Sequence, residues 1–313
     1  MMEKVYTSTG IKLVHHPRVL ERLKNRMATP VSLQVAPTAR CNLNCSFCSN
    51  SKRTMHEDLD YQTVVELLER LARIGLKTVE WTGGGDPTMY KHINSVIFNA
   101  HIMDLDQGLI TNGVLLKDEV IRPDVLGKLK WIRISMNSLD YVDRLDLSLK
   151  GFKGTLGFSY VMHETSQYTL PRLQDYVLKY QPAYVRIVTN CLATHEEQEE
   201  NNRKYTEMVE EMGSPYFYQA KRFDTPKQCW WNYIKPFVLH DGWVYPCSSV
   251  VLNSGSEGKF HEKYRWVKIE DLPNVYDKVM EPYPTNNCDH CVFKYQNEIV
   301  GGLINPTGHQ NFV

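Results

Sequence analysis

The stretch VSLQVAPTARCNLNCSFC, residues 31–48, decides how this chain is read. Its first eight residues alternate as a strand does. Its last eight carry Cys41, Cys45 and Cys48. Three thiols that close together, directly after a strand, point to metal ligation. The chain has eight cysteines, and seven of them form two groups: 41, 45 and 48, then 229, 247, 288 and 291. Only Cys191 stands alone. The start MMEKVYTSTGIKLVHHP has no signal-peptide core, and no apolar run approaches a membrane span, so a cytoplasmic chain without disulfides is expected.

Outward from that loop the pattern is regular. Residues 59–75 place Val64, Leu67, Leu68, Leu71 and Ile74 at helical spacing and stop at Gly75. Strands are expected at 77–83, 108–113, 130–136, 154–162 and 183–189. Helices are expected at 92–103, 117–128 and 195–212, weakly at 140–150, and in a segment whose first turn holds Pro171. Six strands alternating with helices over 31–212 imply parallel strands with right-handed crossovers. Six units are too few for a closed eight-unit barrel, so the fold class is α/β, a partial (β/α)6 barrel with its site at the carboxyl ends of the strands. Residues 1–30 form an amino-terminal arm with a short basic helix, and 31–222 form the barrel. From 223 to 313 the chain is rich in aromatics, turns and cysteine. It holds a hairpin at 235–247 turning on Asp241-Gly242, a helix at 269–281 and a looping tail from Gly301. With 313 residues, 42% hydrophobic, and 36 basic residues against 36 acidic, the chain is an ordinary globular protein. Its zero net charge speaks against a strongly basic nucleic-acid binder.

The spacing Cys41-x3-Cys45-x2-Cys48 after the first strand of an alternating α/β chain resembles the radical S-adenosylmethionine (SAM) superfamily. In that family the three cysteines hold a [4Fe–4S] cluster, and the amino and carboxylate groups of SAM bind its fourth iron. Reduction then gives methionine and a 5′-deoxyadenosyl radical. The resemblance covers about residues 31–300. It implies that Phe47 lies beside adenine. Gly83, Gly84, Gly85 and Asp86 match the Gly-Gly-Glu-Pro motif that binds the SAM amino group, with Asp86 for Glu shortening the reach by one methylene. Ser135 and Asn137 match ribose or carboxylate contacts. Arg186 could pair with the carboxylate, with Lys52 and Arg53 as rivals. Val161 and Ile187 match positions near adenine, though core packing explains them equally well. A zinc site at the first cysteines is the competing reading.

The second group, Cys229, Cys247, Cys288 and Cys291, resembles the auxiliary-cluster "twitch" extension of the same superfamily, a shortened SPASM domain. It implies a fully ligated auxiliary [4Fe–4S] cluster suited to electron transfer. Four cysteines with a Cys-x2-Cys pair also describe a zinc ribbon. Cys191 reads as a small buried residue or a hydrogen donor.

Together these imply an oxidoreductase that uses SAM, two clusters and an electron donor such as flavodoxin or ferredoxin. The expected reaction abstracts hydrogen from a C–H bond and then oxidises the substrate. A redox-neutral rearrangement of a nucleotide or hypermodified base is the alternative. A zinc or iron–sulfur protein without SAM chemistry is the non-enzyme reading. The substrate is read as a small molecule or nucleotide. A peptide is the weaker option, because residues 1–30 are too short for a leader-binding domain. Lys221 and Arg222 offer an anion contact, and Trp230, Trp231 and Tyr233 a stacking surface.

Overall fold

The computed structural model describes residues 5–51, 56–220, 224–249, 262–286, 288, 291–306 and 308. Helix α1 (Pro17–Lys24) precedes strand β1 (Ser32–Val35). The chain then runs α2 (Tyr61–Ile74), β2 (Thr78–Trp81), α3 (Ile93–Ile102), β3 (Asp106–Thr111), α4 (Pro123–Leu126), β4 (Trp131–Ser135), β5 (Thr155–Met162), α5 (Ser166–Tyr180), β6 (Tyr184–Thr189), α6 (His195–Met212) and β7 (Tyr216–Tyr218). These strands pair in chain order, all parallel. After β8 (Gln228–Cys229), strand β9 (Phe237–Val238) joins the free edge of β1 in parallel. Strands β10 (Trp243–Tyr245) and β11 (Val267–Lys268) extend that edge antiparallel. Helix α7 (Leu272–Val275), strand β12 (Tyr283–Pro284) and helix α8 (Lys294–Ile304) follow, with β12 pairing antiparallel to β8.

Side-chain alternation divides the sheet into two unlike faces. Leu33, Val35, Val79, Trp81, Leu109, Ile132, Ile134, Phe158, Val185 and Ile187 are fully buried on the outer face, with α2 and α3 adding Val64, Leu68, Leu71, Val96 and Ile97 to the same core. Each such side chain contributes roughly 1.5–3 kcal/mol. Helix α2 forms because Asp60 caps its first turn, accepting from the Thr63 amide at 2.9 Å. The inner face carries Gln34, Glu80, Arg133, Ser135, Ser159 and Arg186 instead. Gln34 donates to Glu80 across two strands at 2.9 Å, and Ser135, Ser159 and Arg186 share one register row. A methyl group on Gly157 would meet the Tyr184 ring at 2.1 Å, so glycine there makes room for an inward-facing ring.

The arm crosses this inner side. Tyr6 stacks on Tyr184 with ring centroids 4.4 Å apart. Lys235 donates to Ser8 Oγ at 2.7 Å, and Gln296 of α8 donates to the Ser8 carbonyl at 2.6 Å. The arm thus ties the start of β6 to the segment leading into β9.

Six local expectations change. A seventh parallel strand, β7, follows Pro215. Its three residues are too short to show periodicity. Over 117–128 only α4 is helical. Over 140–150 there is no helix, only a 3-10 turn at Met136–Asp140 before it. Pro171 lies inside α5, at its sixth position. Its ring leaves the carbonyl of exposed Gln167 without a helical donor, which solvent can replace. The 269–281 helix shortens to α7 after a 3-10 turn at Ile269–Asp271, whereas Gly301 and Gly302 belong to α8 and not to a loop. Gly301 faces Trp230, whose ring a side chain would approach at 3.7 Å.

Candidate active site

The cysteine loop leaves β1 between fixed walls. Thr38 Oγ1 donates to Asp58 Oδ1 at 2.5 Å, the Ala39 amide donates to the Glu57 carbonyl at 2.8 Å, and Arg40 pairs with Asp58 at 3.0 Å. The amides of Gly85 and Asp86 donate to the carbonyls of Thr38 and Arg40 at 2.8 and 2.7 Å. A turn then brings the Cys48 amide to the Cys45 carbonyl at 3.0 Å. Side chains from the carboxyl ends of three strands meet the loop. Asn112, after β3, donates to Cys41 Sγ at 3.8 Å and to Asn42 Oδ1 at 2.7 Å. Tyr141, after β4, accepts from the Ser46 amide at 3.0 Å. His163, after β5, stacks on Phe47 at 5.3 Å and holds Asp140 Oδ2 at 2.9 Å. Cys41, Cys45 and Cys48 are all half-buried, and none of them is in a disulfide. Burial, then the neighbouring Cys48 and Cys41, pushes the Cys45 thiol up to about 12.

The glycine run after β2 packs against the loop's entrance. A methyl group on Gly85 would lie 2.0 Å from the Arg40 carbonyl oxygen, and one on Gly84 would meet the buried His240 ring at 2.5 Å. Gly85→Ala should therefore force the two segments apart, costing about 1–3 kcal/mol and lowering the thermal midpoint of the cluster-free chain. Asp86 is buried, and its carboxylate is occupied within the protein. It accepts from the Thr88 amide and hydroxyl at 3.0 and 2.6 Å, the Thr111 hydroxyl at 2.9 Å and the Asn112 amide at 2.6 Å. It thus staples the ends of β2 and β3 together.

Ser135 stands half-exposed at the end of β4. Asn137 is buried, and its amide mimics a strand: it donates to the Val161 carbonyl at 3.0 Å and accepts from the Val161 amide at 2.7 Å. Arg186 is deep in the barrel and reachable from its inner side. Its Nη1 donates to Gln219 Oε1 at 2.9 Å. Burial, then nearby Arg133, pushes its guanidinium down to about 9. Val161 faces inward, whereas Ile187 is fully buried on the outer face, in the core. Lys52, Arg53, Lys221 and Arg222 lie outside the described residues.

The second thiol group converges at the small β8–β12 sheet. Burial pushes the Cys229 thiol up, with Cys247 and Cys291 adding to it, while amides of Asn232 and Trp231 work the other way. Burial, then Cys247, with Cys288 adding, pushes Cys291 up to about 12. Tyr283, paired with Cys229 across the sheet, feels Cys288, Cys247 and Cys229. Asn297 of α8 holds this segment, accepting from the Trp230 amide at 2.6 Å and donating to the Gln228 carbonyl at 2.7 Å. Cys191 is half-buried two residues past β6.

Among the described residues no three His, Cys, Asp or Glu side chains are grouped so as to hold a single metal ion. The fit to a metal group rests on the thiols. Burial and neighbouring cysteines push up Cys45 in the first set and Cys229 and Cys291 in the second, which a positively charged centre would reverse. Asn112, Tyr141, His163 and Arg133 were not singled out from the sequence. Their signal was position alone, each lying on or just beyond a strand of the barrel.

An α/β partial barrel with a three-thiol loop at the carboxyl ends of its strands is a defined class of protein. The Radical SAM superfamily model matches residues 35–155, from the end of β1 to the start of β5. Over this segment the chain is similar to the radical SAM superfamily. It is similar to the GTP 3′,8-cyclase of Clostridium botulinum, 30% identical over 113 residues, covering 34% of this chain and 35% of the relative. It is also similar to the probable GTP 3′,8-cyclase of Pyrococcus abyssi, 32% identical over 141 residues, covering 42% and 45%. The chain thus spans less than half the length of either relative. Its fold resembles that of Streptococcus suis SuiB bound to precursor peptide SuiA, with TM-score 0.58 and 14% identity, covering 87% of this chain and 70% of SuiB. Among the described residues no helix is long and apolar enough to cross a membrane.

Proposed function

We propose that this chain is a radical SAM oxidoreductase. Cys41, Cys45 and Cys48 would hold the [4Fe–4S] cluster that binds SAM, and Cys229, Cys247, Cys288 and Cys291 an auxiliary one. The observation that carries the reading is the pair of separate thiol groups, one of three and one of four. When bound, the reduced first cluster supplies the electron that cleaves SAM to methionine and a 5′-deoxyadenosyl radical.

The chain's own residues bind, orient and exclude. Phe47, held by His163, offers a ring to adenine at the barrel's rim. The backbone of Gly83–Gly85 carries the contact to the SAM amino group, because the Asp86 carboxylate is already occupied in stapling β2 to β3. The Ser135 hydroxyl at the rim is available to the ribose or carboxylate, whereas Asn137 acts by fixing β5. The arm and the inner face shield a substrate from competing donors. A filled four-thiol site has no vacant iron for a substrate, which suits it to accept an electron. That favours two-electron oxidation, with a small reductant protein as partner. The aligned relatives named GTP 3′,8-cyclases favour a second reading, redox-neutral rearrangement of a nucleotide.

Mass spectrometry separates the two. Reduced enzyme, SAM and deuterated candidate substrates should yield deuterium in 5′-deoxyadenosine and a product lighter by two hydrogens. A product of unchanged hydrogen count would replace oxidation with rearrangement.

A further inference from the structure

The inner face of the barrel carries charge that its own residues do not balance. Arg133 on β4 and Arg186 on β6 lie on this face within electrostatic reach of each other. Among the described residues neither forms an ion pair, and the Nε of each is buried without a hydrogen-bond partner. The described contacts of Arg186 end at a neutral amide, Gln219. The guanidinium of Arg133 lies over the Trp131 ring at 5.7 Å, a contact that brings no negative charge.

Glu80 is within reach of Arg133, but its oxygens are already engaged. Lys235 donates to Oε1 at 2.6 Å and Gln34 to Oε2 at 2.9 Å. Burial works against the Glu80 carboxylate, yet Lys235, then Arg133 and the Gln34 hydrogen bond, outweigh it and hold the group below the ordinary carboxylate range. Lys235 therefore cancels Glu80, and two guanidinium charges remain. Lys12, which donates to the Val5 and Thr7 carbonyls and feels Lys235, does not relieve the excess. Charge left unpaired in such a place is costly unless a ligand completes it.

We propose that Arg133 and Arg186 form a subsite inside the barrel for the phosphoryl group of a phosphorylated small-molecule substrate. A dianion balances both guanidiniums, whereas a single carboxylate, including that of SAM, balances one. Planar N–H forks match phosphate oxygens in pairs. The inference rests on the reading above for the ligand's being the substrate, and it moves Arg186 from SAM to that substrate.

Calorimetry with inorganic phosphate on the reconstituted, unreduced enzyme tests it without requiring SAM cleavage, so its failure is distinct from failure of the radical chemistry. Phosphate should bind saturably at one site, and acetate should compete poorly. Arg133→Gln and Arg186→Gln should each weaken phosphate roughly tenfold or more. Arg133→Lys should restore part of the loss, which a misfolded variant would not show. In each glutamine variant the loss in phosphate affinity should exceed any change in SAM affinity. Unsaturable phosphate binding, undiminished binding in both glutamine variants, equal competition by acetate, or an equal loss of SAM affinity would each overturn the proposal.

Discussion

Cys45→Ala should leave no detectable 5′-deoxyadenosine after reconstitution, reduction and addition of SAM. The middle cysteine stands between Cys41 and Cys48, and burial together with those two neighbours sets its thiol. Two remaining thiols cannot hold three corners of a cube. The loss is chemical and not a loss of fold. The loop is fastened by Thr38, Ala39 and the glycine run, none of which uses the Cys45 sulfur. Removing one half-buried thiol from the cluster-free chain should change stability by about 1 kcal/mol or less. Iron analysis should show about four of about eight irons retained, those of the second site. Loss of all iron would instead mean that the two sites depend on each other for folding.

Cys288→Ala should divide the reaction. SAM cleavage should continue, since the first site shares no residue with the second. Product formation should fall to background, because the substrate radical then has no internal electron acceptor. Chromatography of 5′-deoxyadenosine and product from one incubation checks both. Equal loss of both would assign the second thiol group a structural role, which its place in the β8–β12 sheet, held by Asn297, makes the natural rival.

Much of this was legible in the sequence because it rests on local spacing. Helix α2 announced itself through five apolar positions and a terminal glycine, and the two cysteine groups through their intervals. What the sequence hid depends on register and on side-chain commitment. Asp86 reads as a free carboxylate until Thr88, Thr111 and the Asn112 amide are seen around it. Asn137 reads as a polar contact until its amide is found bridging to Val161. The solvent-like pattern of inward positions on β1–β6 does not reveal that Arg133 and Arg186 share the inner face two strands apart. That follows only from strand pairing. Pro171 misled for a related reason. A helix tolerates the missing donor where solvent replaces it, so the proline marked neither end.

The most direct measurement is the incubation of anaerobically reconstituted wild-type enzyme with dithionite and SAM, followed by chromatography for 5′-deoxyadenosine. The account predicts that the nucleoside appears and that its amount depends on an intact first cluster. Its absence from enzyme whose iron and sulfide match two full clusters, or a first site occupied by zinc alone, would contradict the central claim.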